Sequence, residues 1–439
     1  MKQARVVIGA SFGDEGKGLM TDYFARAQGG RGTLVARFNG GAQAGHTVVV
    51  DAGTRHVFSH FGAGTLAGAG TLLTRHFIAN PMVFGREHGA LVRLGVSPRV
   101  RIDPRALITT PYDMLINEMV ETTRGAGRHG SVGLGINETV TRSEAPDFHL
   151  SVGMARRDPG AVRAALGRIL NEWVPRRVAT LGIGAEYERR KAIVTSGTLV
   201  ENWLLVLDEF LRDVQVRADL DVLREHERVV FEGAQGLALD QSRGTFPHVT
   251  RSNTGVRNVV ELMNELPPAR LAVTYATRAY VTRHGAGPLE GELEGKPFPG
   301  VYDLTNVPHD FQGPLRYALL DVDALGRRIR DDFADAALLE RSFGARIGVA
   351  VTCLDQLPAT AAWTRAGDGV QGSRQDLVDA VAATLPAASA GAPAEVFVAY
   401  GPRASDVAPG APVRSPAGGF VTRPWRHSEV GAGSIHPVT

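Results

Sequence analysis

The sequence predicts an α/β fold in which helices flank a large, mostly parallel central sheet. Short runs of β-branched and other apolar residues end repeatedly in glycine-bearing or polar turns, and longer segments with helical spacing lie between them. This alternation is typical of a parallel sheet whose strands are joined by helices. The 439 residues are 44% hydrophobic, which is enough to build a sizeable core.

The predicted strands can be followed in order along the chain. Each is an apolar run that leads directly into a turn. The runs are ARVVIGA, TLVARF, RVVFEGAQG, LAVTYATRAYV, ARIGVAVTCLD and EVFVAYGP. Ligands of open α/β sheets bind at the carboxyl ends of the strands, so the turns that follow these runs predict where a binding site lies.

Residues 155 to 228 are predicted to form a mainly helical insertion. The stretches PGAVRAALGRILNEWV and TLVENWLLVLDEFLRDVQ space their apolar residues three and four apart, as one face of a helix does. We interpret this segment as a packing scaffold. The later segment VDAVAATLPAASAGAPAE is rich in alanine and predicts a helix followed by a linker.

Composition limits the class of function. A formal net charge of +2 is too close to neutral to indicate a nucleic acid or a membrane as partner, so a small ligand, neutral or anionic, is expected. The single cysteine, Cys353, excludes an internal disulfide and a multi-cysteine metal site. The start of the sequence, MKQARVVIGASFGDEGKG, has neither the apolar stretch of a signal peptide nor a membrane span, and we expect a cytoplasmic protein.

The first chemically informative stretch is GASFGDEGKGLMTD, from Gly9 to Asp22. A strand, a glycine-rich loop and a helix place backbone N–H groups and a positive helix end around an anion, and Lys17 adds a mobile charge. No Ser or Thr follows Lys17 to bind Mg²⁺, but a carboxylate is also a ligand for a hard cation. Asp14 is therefore a candidate metal ligand, a candidate general base, or both. The alternative is a glycine-rich turn whose acids face solvent.

A second glycine-rich stretch, NGGAQAGHT, runs from Asn39 to Thr47 and also follows a strand. Its glycines let the backbone approach a ligand closely, and His46 is placed to donate a proton to a leaving phosphate oxygen. A lone histidine is more often structural. Together with Asp14 and Lys17 it becomes a candidate acid beside a candidate base, as phosphoryl transfer requires.

The third stretch is FEGAQG followed by GTFPHVTRSNT, between Phe231 and Thr254. The amide of Gln235 offers a donor and an acceptor, which suits the N–H and C=O edge of a heterocycle. Several hydroxyl and amide groups follow within a short distance: Thr245, Thr250, Ser252, Asn253 and Thr254. Composition alone does not distinguish this region from an ordinary polar loop.

The order and wording of these stretches resemble the adenylosuccinate synthetase family, whose members join aspartate to IMP with GTP. The usual family wordings are WGDEGKG, QGGxNAGHT and FEGAQGTLLDxxxGTYPxVTSSNT. The resemblance continues through TRHGAGPLEGEL, similar to TRVGAGPFPTEL, and into VTCLD and VAYGP. It implies a single large domain over residues 1–439 with a P-loop-NTPase-like fold, an Mg²⁺ cofactor and a homodimer.

The resemblance also implies roles for individual residues. Asp14 would take the N1 proton of the purine and bind Mg²⁺, so that O6 attacks the γ-phosphate. His46 would assist the departing diphosphate as an acid, and Gln235 would steady the 6-oxo edge. Lys17 would neutralise phosphate charge, the Gly45 carbonyl is a second expected Mg²⁺ ligand, and aspartate would then displace the 6-phosphoryl group. The implied nucleotide-binding residues are Gly13, Glu15, Gly16, Gly18, Gly45, Thr47, Asp355, Gly401 and Pro402. The implied substrate-binding residues are Asn39, Gln43, Ser131, Arg142, Thr250 and Arg316.

The departures from the family wording lie around the substrates. The arginine run of the aspartate loop, TTGRRRRTGWLD, is replaced by NVPHDFQGPLRYALLD, in which Arg316 remains. A dicarboxylate needs cationic partners, so either Arg316, Arg283 or Arg278 takes over or the co-substrate is not aspartate. The family's guanine-binding motif T-K-L-D appears here as TCLD. Asp355 can still accept hydrogen bonds from guanine, but the lysine stem that would pack on the base is absent. ATP is therefore an alternative phosphate donor to GTP.

Smaller departures affect the other loops. The family's TTGRGIGP becomes HGSVGLGINETVTR, where Ser131 and Arg142 are approximate equivalents, and Arg142 is the expected arginine shared across the dimer interface. Gln43 replaces an asparagine, and Arg251 replaces a serine.

Two alternative functions stay open at this point. One is that of the phage 2-aminoadenylosuccinate synthetases, which use dGMP instead of IMP. Those enzymes often carry a serine at the position of Asp14. The other is a nucleotide-binding protein without synthetase activity, which would have no need of Asp14, Lys17, His46 and Gln235 together.

Overall fold

The computed structural model describes residues 1–51, 53–131, 133–267, 269–306, 313–338, 345–386 and 394–410. Residues 307–312 of the altered aspartate loop and residues 387–393 of the predicted linker lie outside this range. The strands are β1 (Gln3–Gly9), β2 (Thr33–Arg37), β3 (His46–Val49), β4 (Arg55–Phe58), β5 (Gly70–Leu73), β6 (Ile78–Ala79), β7 (Val100–Ile102), β8 (Leu107–Ile108), β9 (Gln215–Val216), β10 (Arg228–Gly236), β11 (Arg270–Arg278), β12 (Val281–Arg283), β13 (Glu292–Leu293), β14 (Arg316–Ala318), β15 (Arg346–Thr352), β16 (Ala361–Arg365), β17 (Asp368–Gly372), β18 (Glu395–Ala399) and β19 (Val407–Pro409). The α-helices are α1 (Lys17–Ala27), α2 (Pro81–Arg93), α3 (Pro111–Arg124), α4 (Ile136–Ser143), α5 (Val152–Arg157), α6 (Pro159–Arg168), α7 (Val174–Leu181), α8 (Gly184–Val194), α9 (Gly197–Asp213), α10 (Asp219–Glu225), α11 (Arg257–Asn264), α12 (Val322–Phe333) and α13 (Arg374–Ala382).

Ten of these strands form the central sheet, in the order β19-β18-β15-β11-β1-β10-β2-β5-β7-β9. Neighbouring strands run parallel except for the pair β18 and β19. At the centre, Val6 lies opposite Phe231 on one side and Val273 on the other, and all three are fully buried. Strands covered on both faces read as continuous apolar runs. The predicted fold class is confirmed, and all six predicted runs contain strands of this sheet.

Helices cover both faces of the sheet. Alternate residues of β1 point to opposite faces, so Val6 joins the core formed with α11, α12 and α13, whereas Val7 packs with Leu19 and Phe24 of α1. The sheet is therefore sandwiched between two helical layers, as a parallel sheet requires.

A second core lies under the helical segment that leaves the sheet after β7 and returns at β9. Its large side chains include Phe84, Tyr112, Trp203 and Phe210. Helices α6 and α7 are joined by a π-helical turn, Ile169–Trp173, which lies just before Pro175. Proline has no N–H to donate, so the regular bonding pattern cannot continue through it. The helical insertion was predicted from the spacing of apolar residues; that residues 1–439 form one domain stays a prediction.

The arrangement of the sheet brings five loops together. The carboxyl ends of β1, β2, β10, β11 and β15 lie at one edge because the five strands are adjacent and parallel. The loops that follow them carry the stretches singled out in the sequence. Among the described residues, no helix is long and apolar enough to span a bilayer.

Candidate active site

The loop after β1 is held in shape by its own charges. The Glu15 carboxylate accepts hydrogen bonds from the backbone N–H groups of Ser11 (3.0 Å) and Gly13 (2.7 Å). Lys17 Nζ lies 3.4 Å from the other Glu15 oxygen and donates to the Gly13 carbonyl at 2.5 Å. Both side chains are buried. Glu15 therefore holds the loop in shape with both of its oxygens, and its contact with the nucleotide stays a prediction.

Gly16 allows this loop to approach the next strand. It has a φ of +88° at the start of α1, a conformation that favours glycine, and a Cβ there would lie 3.1 Å from the Thr352 methyl group. The Thr352 hydroxyl donates to the Glu15 carbonyl at 3.1 Å. The phosphate-loop stretch and the TCLD stretch are therefore in direct contact.

Asp14 points away from the interior of the loop, and its side chain is 20% exposed. Its Oδ2 lies 3.3 Å from Nε2 of His284, and its backbone carbonyl accepts from Arg278 Nε. Arg278 also donates to Asp303 at 2.8 Å. Burial would raise the pKa of Asp303, but Arg278 and two backbone N–H groups outweigh it and lower the pKa to about 2. Arg278 thus has a carboxylate partner of its own and fixes the backbone at Asp14.

His46 is the first residue of β3, and its ring contacts the buried carboxylate of Glu232. Its Nδ1 lies 2.7 Å from Glu232 Oε1, and the other Glu232 oxygen accepts from the Ala63 N–H at 3.0 Å. Burial lowers the pKa of His46 to about 4 even though Glu232 opposes this. At neutral pH, neutral His46 therefore donates Nδ1–H to an ionised Glu232 and keeps Nε2 for another partner.

The two glycine-rich loops meet at the start of α1. A Cβ on Gly18 would lie 2.9 Å from the Thr47 carbonyl and 3.0 Å from the His46 Cβ. The hydroxyl of Thr47 shares a hydrogen bond of 3.1 Å with the hydroxyl of Thr305. The predicted acid and the predicted phosphate-binding lysine therefore lie on elements in contact.

Two glutamine side chains border the same region. Gln235 has a φ of +62°, an uncommon value for a residue other than glycine, and a Cβ on Gly13 would lie 3.8 Å from Gln235 Oε1. Strained backbone of this kind is frequent at active sites. Both polar atoms of the Gln43 amide are buried without a hydrogen-bond partner among the described residues. A buried amide left unpaired is costly, which favours Gln43 as a ligand-binding side chain.

The TCLD stretch and the loop after β18 form a further border of the candidate site. Cys353 also has a positive φ, +61°, and Asp355 accepts from the Tyr302 hydroxyl at 3.3 Å. Burial raises the pKa of the Cys353 thiol. Gly401 lies against Asp406, and the neighbouring Pro402 is exposed.

The predicted substrate-binding residues differ in exposure. Thr250 is half-buried, whereas Gly45, predicted to bind the nucleotide and Mg²⁺, is exposed. Ser131 is half-buried, and its hydroxyl donates to Asn117 at 2.8 Å. Asn39 differs, because its amide is fully buried and bonds the backbone of Ala234 and Asn253. Asn39 therefore joins the loops, and its contact with a substrate stays a prediction.

Arg142 was also predicted to bind a substrate, and in the single chain its partners are internal. It is 0% exposed, pairs with both Asp113 oxygens at 2.9 Å, and donates to the carbonyls of Ile108 and Phe148. Its guanidinium is thus engaged within its own chain and is not presented to a substrate or to a neighbouring subunit.

Two acidic or basic side chains of the site were not selected from the sequence. Glu232 lies within FEGAQG, and the signal for it was a carboxylate inside an otherwise apolar strand, because such a group is buried only with a partner. His284 lies within TRHGAG, where no local pattern indicates that it meets Asp14. That contact is made by two loops distant in sequence, which follow β1 and β12.

The donor set near Asp14 fits a magnesium ion held jointly with a ligand. Among the described residues there is no group of three or more His, Cys, Asp or Glu side chains able to hold a metal. Mg²⁺ is usually bound through one or two carboxylates together with substrate phosphates. The partly exposed Asp14 carboxylate supplies one such ligand.

Comparisons with known proteins agree with this geometry. The sequence profile of the adenylosuccinate synthetase family matches residues 6–314. The adenylosuccinate synthetase of Desulfatibacillum aliphaticivorans is 31% identical over 357 residues, 80% of this chain and 77% of that protein. Its counterpart in Xanthomonas campestris pv. campestris is 31% identical over 344 residues, 75% and 74% of the two chains.

Two solved structures are similar in fold. The fully ligated adenylosuccinate synthetase of Plasmodium falciparum superposes with a TM-score of 0.69 at 18% identity, covering 92% of this chain and 98% of the other. The succinoaminodeoxyadenylate synthetase of cyanophage S-2L, bound to dGMP and dATP, gives a TM-score of 0.58 at 17% identity, covering 93% and 95%.

Proposed function

The chain belongs to the adenylosuccinate synthetase family of carbon–nitrogen ligases, and from this premise we propose that it converts IMP and L-aspartate to adenylosuccinate with GTP. The observation that carries the proposal is the grouping of Asp14, Lys17 and the His46–Glu232 pair on contacting elements. A module that only binds nucleotides has no need of a base and an acid on either side of the phosphate loop.

In the first step, Asp14 accepts the N1 proton of the purine. The electrons of the N1–H bond make O6 nucleophilic, O6 bonds to the γ-phosphorus, and the bond from that phosphorus to the bridging oxygen breaks to release GDP. Lys17 and the N–H groups at the start of α1 offset the phosphate charge. A bound Mg²⁺, held by Asp14 and the Gly45 carbonyl, would supply further neutralisation of the phosphate oxygens.

His46 acts at the leaving diphosphate. In the free site it is neutral and its Nδ1–H is engaged by Glu232. An anionic phosphate against Nε2 favours the protonated ring, since an opposite charge stabilises the cation and Glu232 already does so from the other side. The pair can then donate Nε2–H to the departing oxygen.

In the second step, the aspartate amine bonds to C6 and the 6-phosphoryl group leaves as phosphate. The first step makes this possible because an oxo group leaves poorly and a phosphate leaves well. Gln235 would hydrogen-bond the 6-oxo edge, and Gln43 and Thr250 would hold the nucleotide. The unpaired amide of Gln43 supports its part in this assignment.

A second candidate purine is dGMP with ATP as the donor. The specific observation in its favour is Cys353, which stands where the family's guanine-reading motif has lysine and offers no stem to pack on a guanine. The retained Asp14 favours the first candidate.

One experiment distinguishes the candidates. The protein is incubated with Mg²⁺, aspartate, GTP or ATP, and either IMP or dGMP, and products are identified by mass. We expect an IMP–aspartate adduct with release of one phosphate. An adduct formed only with dGMP would select the second candidate, and phosphate release without any adduct would contradict both.

We further propose a cytoplasmic enzyme that works as a homodimer, as the family resemblance implies. In the single chain Arg142 is buried and paired with Asp113, so the proposed dimer does not depend on Arg142. Sedimentation equilibrium measures the oligomeric state directly, and a monomer at all concentrations would contradict the proposal.

A further inference from the structure

Three arginines near the active site, Arg278, Arg283 and Arg316, are the candidate carboxylate partners that the sequence offers, and they differ in their counter-ions. Arg278 pairs with Asp303 at 2.8 Å, and Arg316 pairs with the Glu292 carboxylate through two of its nitrogens. No carboxylate of the described residues lies within 4.0 Å of the Arg283 guanidinium. Arg283 is thus the one of the three without a neutralising partner in the described part of the chain.

The missing partner matters because Arg283 is buried. The residue is 3% exposed, and its guanidinium lies 4.5 Å from the centre of the Phe12 ring. It donates to the carbonyls of Pro288 (2.6 Å) and Ala286 (3.0 Å), while its Nε has no acceptor among the described residues. Burial, followed by Arg316, lowers the pKa of Arg283 to about 10, so the group is still a cation at neutral pH. A buried charge without a counter-ion is costly and attracts an anion.

The surroundings of Arg283 add positive charge. On the small sheet of β12, β14 and β13, Arg283 lies directly opposite Arg316. Like charges opposite each other repel. Glu292 forms its close ion pair with Arg316 and offsets the charge of Arg283 only from a greater distance. Gly287 brings in a third group, because a Cβ there would lie 2.2 Å from an Arg283 nitrogen and 2.7 Å from the His248 ring. Burial and then Arg283 lower the pKa of His248, which favours a neutral hydrogen-bonding group at that position.

This cluster lies beside the reacting centre. Phe12, on which Arg283 stacks, belongs to the loop that carries Asp14, and His284, the residue that follows β12, contacts the Asp14 carboxylate. Among the described residues, the hydrogen bonds of Arg283 go to Pro288 and Ala286, and none goes to Lys17 or Thr250, which are assigned to the nucleotide. We therefore assign an anion at Arg283 to a substrate group other than the transferred phosphate.

We propose that Arg283, opposite Arg316 and bordered by His248, forms a subsite for a carboxylate of the amino-acid co-substrate. The inference rests on the proposed function and deepens it, because it names the group that replaces the absent arginine run. The guanidinium supplies charge-assisted hydrogen bonds to the carboxylate. The neighbouring Arg316 keeps its own partner, Glu292, and acts through its field.

The test compares the Michaelis constants of the substrates in Arg283→Gln and Arg283→Lys. In Arg283→Gln we expect KM for aspartate to rise about 10- to 100-fold, the usual range for losing a charge-assisted hydrogen bond, with the KM values of IMP and GTP changed less than about 3-fold. Arg283→Lys keeps the positive charge but loses the paired N–H donors of the guanidinium. Its KM for aspartate should therefore lie between those of the wild type and Arg283→Gln. Arg163→Gln, which removes an exposed arginine on α6, is the charge-matched control and should leave all three constants unchanged.

Other outcomes would overturn the subsite. A rise in KM for the nucleotide alone would assign Arg283 to a phosphate. Unchanged constants in a variant with a normal thermal midpoint would restrict Arg283 to holding the turn at Ala286 and Pro288. If the variant with glutamine does not fold, Arg283→Lys alone decides, and an aspartate KM equal to that of the wild type would contradict the proposal.

A failure of the proposed function is recognised separately, because the wild type would then give no adduct with any purine nucleotide. The subsite is still tested in that case by titration with succinate, a dicarboxylate without an amine. Succinate should raise the thermal midpoint of the wild type and of Arg163→Gln, but not that of Arg283→Gln. Equal shifts in all three, or none in the wild type, would overturn the subsite.

Discussion

Lys17 and Arg283 are both buried cations near Asp14, yet the chain treats them differently. Lys17 has the Glu15 carboxylate at 3.4 Å and the Gly13 carbonyl at 2.5 Å. Arg283 has backbone carbonyls and an aromatic ring but no carboxylate among the described residues. The Lys17 loop is therefore complete before any ligand binds, whereas the Arg283 turn carries a charge that a ligand would neutralise.

This difference separates the chemistry of the site from its selectivity. Groups that act on a transition state gain from being held in place in advance, since no reorganisation is then needed during the reaction. A cation that recognises a substrate can lack a counter-ion until the substrate supplies one. Most departures from the family wording lie around the substrates, although Arg283 itself is kept within TRHGAG.

The largest effect is expected at Asp14, which lies between the two regions. Asp14→Asn keeps the shape of the side chain but removes the base, so adduct formation should fall about 10³-fold, within the range for loss of general base catalysis. The measurement is the rate of adduct formation by mass at saturating substrates. Asp208→Asn, an exposed acid on α9, is the control and should retain full activity. An active Asp14→Asn enzyme would mean that another group takes the N1 proton.

The next prediction tests whether Glu232 and His46 act as a unit. Glu232→Gln removes the charge behind His46, and kcat should fall about 10- to 100-fold with little change in KM, because the partner of a catalytic histidine orients it and raises its basicity. His46→Ala should cost at least as much. The double variant should be no worse than His46→Ala, since Glu232 acts through His46.

If the losses of kcat in the two single variants add in the double variant, Glu232 does not act through His46. Additive losses would mean that Glu232 stabilises the site by another route, for example through its bond to the Ala63 N–H. Thermal unfolding of each variant checks that the loss is not simply a loss of the folded protein.

The sheet and its strand ends were predictable from the sequence, because buried parallel strands leave a local pattern of continuous apolar residues ending in glycine turns. The stretches around Lys17, His46 and Gln235 were predictable for the same reason. The pairs His46–Glu232 and Asp14–His284 were not, because their partners lie 186 and 270 residues apart and meet only through the strand order. Asn39 and Arg142 show the converse, since their residue types suit ligands but their partners lie within the chain.

A smaller effect distinguishes Arg283 from Arg316 as the carboxylate partner. In Arg316→Gln, Glu292 loses its ion pair and competes with the substrate for Arg283, so KM for aspartate should rise about 3- to 10-fold, the scale of a partly exposed ion pair. Removing the competitor as well, in Arg316→Gln with Glu292→Gln, should restore KM to within about 3-fold of the wild type. A double variant as impaired as the single one would show that Arg316 binds the substrate itself.

The smallest effect concerns the donor nucleotide, at the far side of the phosphate loop. Cys353 lies in TCLD, two residues before Asp355, and Thr352 of the same stretch bonds the loop at Glu15. Cys353→Lys adds an aliphatic stem that can pack on a base while Asp355 still accepts hydrogen bonds, so the ratio of kcat/KM for GTP over ATP should rise about 3- to 10-fold, the worth of burying one or two methylene groups. Cys353→Ser, which adds no stem, should leave the ratio unchanged. If the ratio is equally unaffected by lysine, the base does not lie against residue 353, and the choice between GTP and ATP is made elsewhere in the site.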